Sequence, residues 1–186
     1  MKSKTAKPLP AYSASAEFEQ LHVRPRLDGR TLIAGSKLYG ERQDRRTLYA
    51  EAIGVDALAG PGVDKVVNLE MPGAHILGTF VHIDCLSVLE HSARPWLLAA
   101  NLVMMLEKGG TLFVSAPFVW RVHGYPNDYF RYTTEAIRSL FPGIEWSALM
   151  YGNTKLVDDM SAMGHRLGDG HRYFPRTEVF GFGVRK

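Results

Sequence analysis

A glycine loop and one carboxylate in the first third of the chain have the residue types and the spacing of a nucleoside-binding site. The loop lies in the stretch LIAGSKLYGE (32–41), where Gly35 and Gly40 stand at the first and last positions of a G-x-G-x-x-G pattern and Lys37 replaces the middle glycine. Asp56 follows Gly35 by 21 residues, close to the spacing of about 20 between such a loop and the acid that binds a ribose.

The missing middle glycine decides which nucleoside ligands this loop favours. That glycine lets the backbone approach a pyrophosphate, so Lys37 disfavours NAD and FAD. S-adenosylmethionine contains a nucleoside without a pyrophosphate, and its carboxylate can meet backbone N–H groups of the loop. The alternative is that both glycines only form turns and that Asp56 is a cap.

A second group of reactive side chains lies in the segment WRVHGYPNDYFRY (120–132). Aromatic faces with polar groups between them suit sugar rings or flat heteroaromatic ligands, and arginine binds phosphate or carboxylate. The alternative is a self-packed cover with an internal ion pair between Asp128 and Arg131. On the first interpretation the predicted substrate-binding residues are Trp120, Arg121, His123 and Arg131.

Alternating strands and helices must position these groups. Short apolar runs such as TLIAG, IGVDAL, KVVNLE, TLFVSAPF and EVFGFGVRK predict buried strands. ARPWLLAANLVMMLEKGG predicts a helix that Gly109 and Gly110 end, and TTEAIRSLF one that starts near Thr133. This alternation predicts an α/β fold with a parallel sheet. In such a sheet, ligands bind at the carboxyl ends of the strands. We expect one domain (29–186) after a flexible lead-in (1–28).

Composition limits the function classes. The net charge of +3 is too small and too scattered to indicate nucleic acid by itself. Cys85 is the one cysteine, which excludes an internal disulfide and a multi-cysteine metal site. His165, Asp169 and His171 lack a third firm ligand, so no metal is predicted. Without an apolar run of roughly 18–20 residues or the apolar core of a signal peptide, we expect a cytoplasmic protein with no membrane span.

The order of these segments resembles the class I S-adenosylmethionine-dependent methyltransferases. LIAGSKLYGE, IGVDALAGPGVDKVVNLE, CLSVLEH and MLEKGGTLFVSAPF follow one another, and PFVWRVHGYPNDYFRYTTEAIRSLF is similar to the small bacterial branch with a VLEH segment. The resemblance covers about 32–141, with SVLEH and KGGTLFVSAPF its most specific parts. It implies a three-layer Rossmann-like fold whose mostly parallel sheet has an antiparallel last strand, and S-adenosylmethionine as cofactor.

The resemblance also implies roles for individual residues. Asp56 would accept the ribose hydroxyls, Asn68 would contact the adenine amino group, and Glu90 would balance the sulfonium charge. A general base is needed only where the acceptor carries a proton of high pKa; the candidate catalytic residues are His91, Tyr125 and Asp128. The alternative for His91 is a cap or packing residue, and for Glu90 an exposed first-turn carboxylate. The implied cofactor-binding residues are Gly35, Ser36, Gly40, Asp56, Asn68, Ser87 and Glu90.

One departure from the family pattern bears on the cofactor. The family's first strand carries an acid just before its glycine, where this chain has Ile33 and Ala34, so the methionine ammonium group loses its usual anchor. The leading hypothesis is a methyltransferase acting on a small-molecule or glycan-like acceptor. The alternatives are a catalytically inactive binding or scaffold protein that kept the fold, and an RNA methyltransferase, which the basic balance allows. The chain is short for this fold, so a second subunit of an oligomer could complete the acceptor pocket.

Overall fold

A seven-stranded sheet with the order β3-β2-β1-β4-β5-β7-β6 forms the centre of the molecule. The structure is a computed structural model that describes residues 14–40, 43–124, 127–152 and 178–186. The strands are β1 (Thr31–Ala34), β2 (Ala52–Asp56), β3 (Lys65–Val66), β4 (Phe80–Leu86), β5 (Leu106–Pro117), β6 (Ile144–Tyr151) and β7 (Glu178–Arg185).

Strand directions confirm the predicted sheet. β1 pairs in parallel with β2 and β4, and β4 pairs in parallel with β5. β7 runs antiparallel to both of its neighbours, β5 and β6. The chain passes from β1 outward to β2 and β3 and then returns to β4 on the other side of β1. This reversal of strand order between β1 and β4 is the place where open α/β sheets bind ligands.

Helices cover both faces of the sheet. They are α1 (Ala14–His22), α2 (Pro95–Met105) and α3 (Thr134–Leu140), with short 3-10 helices at Arg45–Leu48, Ala74–Leu77 and Leu89–His91. Leu112 and Val114 of β5 pack in the core that α2 and α3 cover, whereas Phe113 between them packs on the α1 side. This alternation along one strand produces the three-layer arrangement. In the part of the chain that the structure describes, no helix is long and apolar enough to span a membrane.

The centre of the sheet holds the sole cysteine. Cys85 lies opposite Ala34 of β1 and Val114 of β5, and its side chain is fully buried. Burial, with the nearby charges of Glu90 and Asp84, raises the pKa of this thiol well above its usual range. Cys85 is therefore an inert core residue.

The lead-in differs from the expectation of flexibility. Phe18 of α1 is 5% exposed, and its ring stacks on Phe113 and Phe180 at centroid distances of 5.8 and 5.3 Å. Glu19 adds an ion pair with Arg45 at 2.8 Å. Residues 14–22 are thus packed on the sheet, because one aromatic side chain anchors a helix that looks polar in sequence. The boundary at residue 28 stays a prediction, and residues 1–13 lie outside the described residues.

Two further elements differ from the sequence analysis. The stretch ERQDRRTLYAEA (41–52) is polar and compatible with a helix by its sequence, but its described part contains only the 3-10 helix Arg45–Leu48, capped by the Asp44 side chain. β6 was not predicted, because IEWSALMY alternates irregularly between buried and exposed positions. Among the described residues β6 pairs only with β7, and this edge position explains the pattern, since an edge strand has less of its surface covered.

The start of α3 offers a local test of stability. The Thr133 hydroxyl accepts a hydrogen bond from the backbone N–H of Ala136 at 3.1 Å. We expect Thr133→Ala to lower the free energy of unfolding by about 1 kcal/mol, because a helix N–H loses its acceptor. Urea denaturation measures the change, and Thr133→Ser is the matched control that keeps the hydroxyl. Equal midpoints for the alanine and serine variants would contradict a stabilising cap.

Candidate functional site

The carboxyl ends of four parallel strands meet at one edge of the sheet. β1 ends at Ala34, directly before Gly35, β2 ends at Asp56, and β4 is followed by the segment 87–91. β5 ends at Pro117 and leads into the segment 118–132. The parallel pairing of these strands therefore brings together the residues that the sequence analysis assigned to cofactor and acceptor.

Gly35 is a position at which only glycine fits. Its φ of +68° lies in the left-handed region, and a Cβ atom there would stand 2.5 Å from Cγ2 of Val88. The turn after β1 thus lies directly against the segment after β4. Gly40 has a similar φ of +66°, but a Cβ atom there would meet nothing within 4 Å. The two glycines share a conformation and differ in their packing.

Asp56 joins the glycine loop to the tip of β2. Its carboxylate accepts hydrogen bonds from the backbone N–H groups of Lys37 at 3.2 Å and Leu58 at 2.9 Å, one on each oxygen. Each carboxylate oxygen has a further lone pair, and the residue is half-buried. The predicted pairing of loop and acid is therefore present, with capacity left for ligand hydroxyls.

The backbone of the glycine loop does not offer the N–H groups that the sequence analysis expected for a ligand carboxylate. The N–H groups of Gly35 and Ser36 donate to the carbonyl of Val55, and that of Leu38 donates to the carbonyl of Pro61. With the Lys37 N–H on Asp56, the loop is bound to β2 and to the turn that follows it. That expectation is wrong for residues 35–38, because these donors are used within the protein.

The side chains of this loop vary in their surroundings. The stem of Lys37 lies against Gly60, and its ammonium group lies 5.3 Å from the ring centroid of Tyr39. Ser36 is 6% exposed, and its hydroxyl has no hydrogen-bond partner among the described residues.

Asn68 is exposed, and its side-chain oxygen accepts from the N–H of Glu70 at 2.9 Å. The amide oxygen of Asn68 thus turns toward its own loop, so its adenine contact stays a prediction.

Below the loop lies a buried polar network that sequence reasoning missed. Asp84 of β4 is 1% exposed. Its carboxylate accepts from Arg45 at 2.7 Å and from the Tyr49 hydroxyl at 2.9 Å, and lies 3.0 Å from Nε2 of His82. Asp84 is the register neighbour of Ile33, the family's acid position in β1. Because Asp84 already has three partners, it does not replace the missing acid.

The segment after β4 carries a strained residue and a buried acid. Ser87 has a φ of +55°, an unusual conformation for a residue with a side chain. Glu90 is 1% exposed, which rules out the alternative of an exposed first-turn carboxylate. Burial raises the pKa of Glu90 to about 7. His91 follows with a side chain that is 33% exposed.

The segment 118–132 is bound to the 3-10 helix Leu89–His91. The N–H of Tyr129 donates to the carbonyl of Glu90 at 2.7 Å, and the Tyr132 hydroxyl donates to that of Leu89 at 2.8 Å. Nδ1 of His91 lies 2.6 Å from the carbonyl oxygen of Asn127. Gly124 supports the His91 ring, since a Cβ atom there would stand 2.5 Å from its Cε1. These contacts hold the described parts of the two segments together beside the ends of β4 and β5.

Asp128 and Arg131 form the internal ion pair that the sequence analysis gave as the alternative. Their guanidinium–carboxylate contacts are 2.5 and 2.8 Å, and the Asp128 side chain is 2% exposed. Hydrogen bonds from Arg131 hold the pKa of Asp128 well below its usual range. Asp128 also accepts from the N–H of His123 at 2.7 Å. A buried, fully bonded carboxylate is a positioning group, so the structure does not support Asp128 as a base or Arg131 as a ligand for the acceptor.

The remaining candidates divide into three groups. Glu90, His91 and His123 come together, with Oε1 of Glu90 3.8 and 3.9 Å from the Nε2 atoms of the two histidines. Trp120 and Arg121 are exposed, and their carbonyls accept hydrogen bonds from Arg131. The predicted catalytic residue Tyr125 lies outside the described residues, as do the three residues that were considered for a metal and not assigned to one, His165, Asp169 and His171.

Comparison with known proteins identifies the fold. No protein-family model matches the sequence, and no curated protein does. A structure of an S-adenosylmethionine-dependent methyltransferase from Anabaena variabilis aligns with a TM-score of 0.62 at 13% identity, over 92% of this chain and 83% of that one. The N-methyltransferase NodS from Bradyrhizobium japonicum, in complex with S-adenosyl-l-homocysteine, aligns with a TM-score of 0.57 at 10% identity, over 84% and 77%.

A third structure, the [4+2]-cyclase SpnF, aligns with a TM-score of 0.55 at 12% identity, over 84% of this chain and 74% of that one. At such identities the likeness establishes the architecture. The chain therefore has the Rossmann-like fold of the S-adenosylmethionine-dependent methyltransferases, which confirms the predicted fold class. Since the same fold also carries a cyclase, the reaction has to be argued from the site.

Proposed function

We propose that the protein is an S-adenosylmethionine-dependent methyltransferase that acts on a small-molecule or glycan-like acceptor. The observation that carries this proposal is the contact between Asp56 at the end of β2 and the glycine loop after β1, next to the point between β1 and β4 where the strand order reverses. A half-buried carboxylate at the end of β2 has the chemistry to bind a ribose diol, and the fold is one in which such a ligand binds there. The VLEH branch of the family stays a prediction.

The residues present suit the adenosyl part of the cofactor better than its methionine part. Asp56 keeps lone pairs for two hydroxyl groups, and the turn at Gly35 leaves no room for a side chain beside Val88. The methionine end has fewer partners, because Ile33 and Ala34 are buried in β1 and carry no charge. We therefore expect the adenosyl group to supply most of the binding free energy and the overall affinity to be modest.

The proposed chemistry relies on alignment. The cofactor supplies a methyl group on a sulfonium, and the protein has to hold the acceptor in line with it. Glu90 would place negative charge beside the site, and Nε2 of His91 lies 3.8 Å from Oε1 of Glu90. Trp120 and Tyr129 are 43% and 51% exposed, and such aromatic rings next to arginine and histidine favour a sugar or a heteroaromatic acceptor.

Calorimetric titration with S-adenosylmethionine tests the proposal. We expect Asp56→Ala to weaken binding at least tenfold, because the ribose diol loses a charged acceptor. Asp56→Asn keeps the shape and removes the charge, so its affinity should fall between those of the wild type and the alanine variant. Asp28→Ala is the control, since Asp28 is an exposed aspartate that pairs with Arg26. Unchanged affinity in Asp56→Ala would remove Asp56 from the site.

A second candidate function is a binding protein that kept this fold and does not use the cofactor. Two observations favour it. Ile33 and Ala34 at the end of β1 carry no charge, and the N–H groups of the glycine loop donate to acceptors within the protein itself. This candidate predicts no heat on titration with S-adenosylmethionine or S-adenosylhomocysteine up to high micromolar concentrations. Saturable heat in the wild type that Asp56→Ala reduces would exclude it.

A further inference from the structure

We propose that Glu90, His91 and His123 form a binding site for one divalent transition-metal ion. One ligand atom from each residue lies within 4.8 Å of the other two. Two imidazole nitrogens and one carboxylate oxygen are a donor set that suits ions such as Zn²⁺, Mn²⁺ or Co²⁺. The sequence analysis predicted no metal and gave these residues three separate roles. They lie 32 positions apart in the chain (91 to 123), and only the fold brings them together.

The outer nitrogens of both histidines are already bonded in the way that metal-binding histidines require. Nδ1 of His91 lies 2.6 Å from the carbonyl oxygen of Asn127, which can only accept, so Nδ1 carries the proton. Nδ1 of His123 lies 3.3 Å from the carbonyl oxygen of Arg121 and 3.2 Å from the Asp128 carboxylate; since both groups are acceptors, the same tautomer is favoured. In each ring Nε2 is left with its lone pair, and both Nε2 atoms face Glu90. Outer-shell partners of this kind orient the ligands of metal sites.

The buried carboxylate of Glu90 supplies a second observation that points to a cation as the ligand. Its side chain is 1% exposed, and Oε2 has no hydrogen-bond partner among the described residues. The other oxygen, Oε1, lies 3.8 and 3.9 Å from the two histidine nitrogens, too far for hydrogen bonds. A buried carboxylate oxygen without a partner is costly, and a bound cation would satisfy it.

The spacing of the three residues is close to that of a metal site. Ligand atoms about 2.0–2.2 Å from a tetrahedral zinc ion lie roughly 3.4 Å apart. The Glu90–histidine distances of 3.8 and 3.9 Å therefore need to shorten by about 0.5 Å, and the remaining pair of ligand atoms, which lies within 4.8 Å, by at most about 1.4 Å. The His91 and His123 side chains are 33% and 31% exposed, so they can adjust and an ion can enter from solvent.

The supporting structure holds the ligands in place. The hydrogen bond from the Tyr129 N–H to the Glu90 carbonyl fixes the two segments relative to each other. The ion pair with Arg131 holds Asp128, which in turn accepts from the His123 N–H. A site on such pre-bonded segments loses little entropy when it binds an ion.

Three protein ligands leave at least one coordination position open, as in catalytic metal sites. The cluster lies directly after β4 and next to the segment that follows β5. An open position there would take an oxygen of the acceptor and lower the pKa of its hydroxyl. This role in binding the acceptor rests on the proposed function, whereas the ion site itself does not.

Titration of the full-length, chelator-treated protein with Co²⁺ in the absence of any cofactor tests the site. Visible absorption of the bound ion reports its coordination, and equilibrium dialysis gives the stoichiometry. We expect one Co²⁺ per chain, and at least tenfold weaker binding in His91→Ala, His123→Ala and Glu90→Gln. His75→Ala is the control, because His75 is exposed in the 3-10 helix Ala74–Leu77 and should leave the affinity unchanged.

Further variants keep the test decisive. Asp128→Asn removes an outer-shell partner and should weaken Co²⁺ binding by about 10–100-fold, even if a ligand variant fails to fold. A double variant of His165 and His171 should bind Co²⁺ like the wild type. The proposal is overturned if the wild type binds no Co²⁺, or if the His123→Ala variant, shown to be folded by circular dichroism, binds it unchanged. Titration with S-adenosylmethionine is a separate measurement, so the two proposals can fail independently.

Discussion

Asp84→Ala is expected to lower the free energy of unfolding by about 3–5 kcal/mol, the usual cost of removing one partner from a buried ion pair. The Asp84 carboxylate is 1% exposed and has Arg45, Tyr49 and His82 as partners. Its loss leaves the Tyr49 hydroxyl without its acceptor and Nε2 of His82 without its partner, and it leaves Arg45 with Glu19 as its remaining ion-pair partner. The network lies between α1 and the centre of the sheet, so its loss affects both.

The same carboxylate should make the stability depend on pH. Burial alone would raise the pKa of Asp84, but the hydrogen bond and charge of His82 and the charge of Arg45 outweigh it, and the pKa is lowered on folding. A lowered pKa adds stability above the unfolded value of about 3.9, and this contribution is lost as the pH falls through the folded value. The difference in stability between the wild type and Asp84→Asn should therefore shrink below about pH 4.

Urea denaturation at pH 7 and at pH 3–4 measures both effects of Asp84. Asp84→Asn should fall between the wild type and the alanine variant, because the amide keeps one acceptor oxygen. Asp28→Asn is the matched control: Asp28 also pairs with an arginine, but its side chain is 67% exposed, so its replacement should change little. A loss in Asp84→Ala no larger than that of the control would contradict a stabilising network.

Gly35→Ala is expected to have the second large effect. A non-glycine residue in the left-handed region costs about 1–2 kcal/mol. The new Cβ atom would also stand 2.5 Å from Val88, and relieving such an overlap costs about 1–3 kcal/mol more. We therefore expect the free energy of unfolding to fall by about 2–5 kcal/mol. Since the loop that begins at Gly35 donates a hydrogen bond to Asp56, the affinity for S-adenosylmethionine should fall as well.

Gly40→Ala separates the two causes. Gly40 has nearly the same φ as Gly35 but open space around it, so its replacement should show the backbone cost alone. Adding Val88→Ala to Gly35→Ala should restore part of the lost stability, because the overlap is removed, and a double-mutant cycle measures this coupling. Equal losses in Gly35→Ala and Gly40→Ala would show that the contact with Val88 has no energetic weight.

The sequence predicted the parts of the fold whose cause is local. TLIAG and TLFVSAPF are strands because parallel strands in a sheet centre are apolar throughout, and α3 begins directly after Thr133 because the Thr133 hydroxyl caps the helix. The packing of α1 depends instead on a single residue, Phe18, that meets rings from β5 and β7. β6 was missed because an edge strand does not need a regular apolar face.

The candidate site shows the same division. Asp56 could be predicted because the distance between a glycine loop and the end of the next strand is a property of the local chain. The cluster of Glu90, His91 and His123 could not, because it depends on how the segment after β5 folds back onto the segment after β4. The VLEH and VHGYPND motifs were both visible in the sequence, but nothing in either one indicates that they touch.

The position of Cys85 gives the protein a built-in reporter. A thiol with a raised pKa between three strands of the sheet reacts with an alkylating agent only when those strands separate. As the chain has no other sulfhydryl group, the alkylation rate follows the opening of the sheet centre at a single known atom, with no dye or tag. The lifetime of the closed sheet can therefore be compared between variants whether or not they retain any activity.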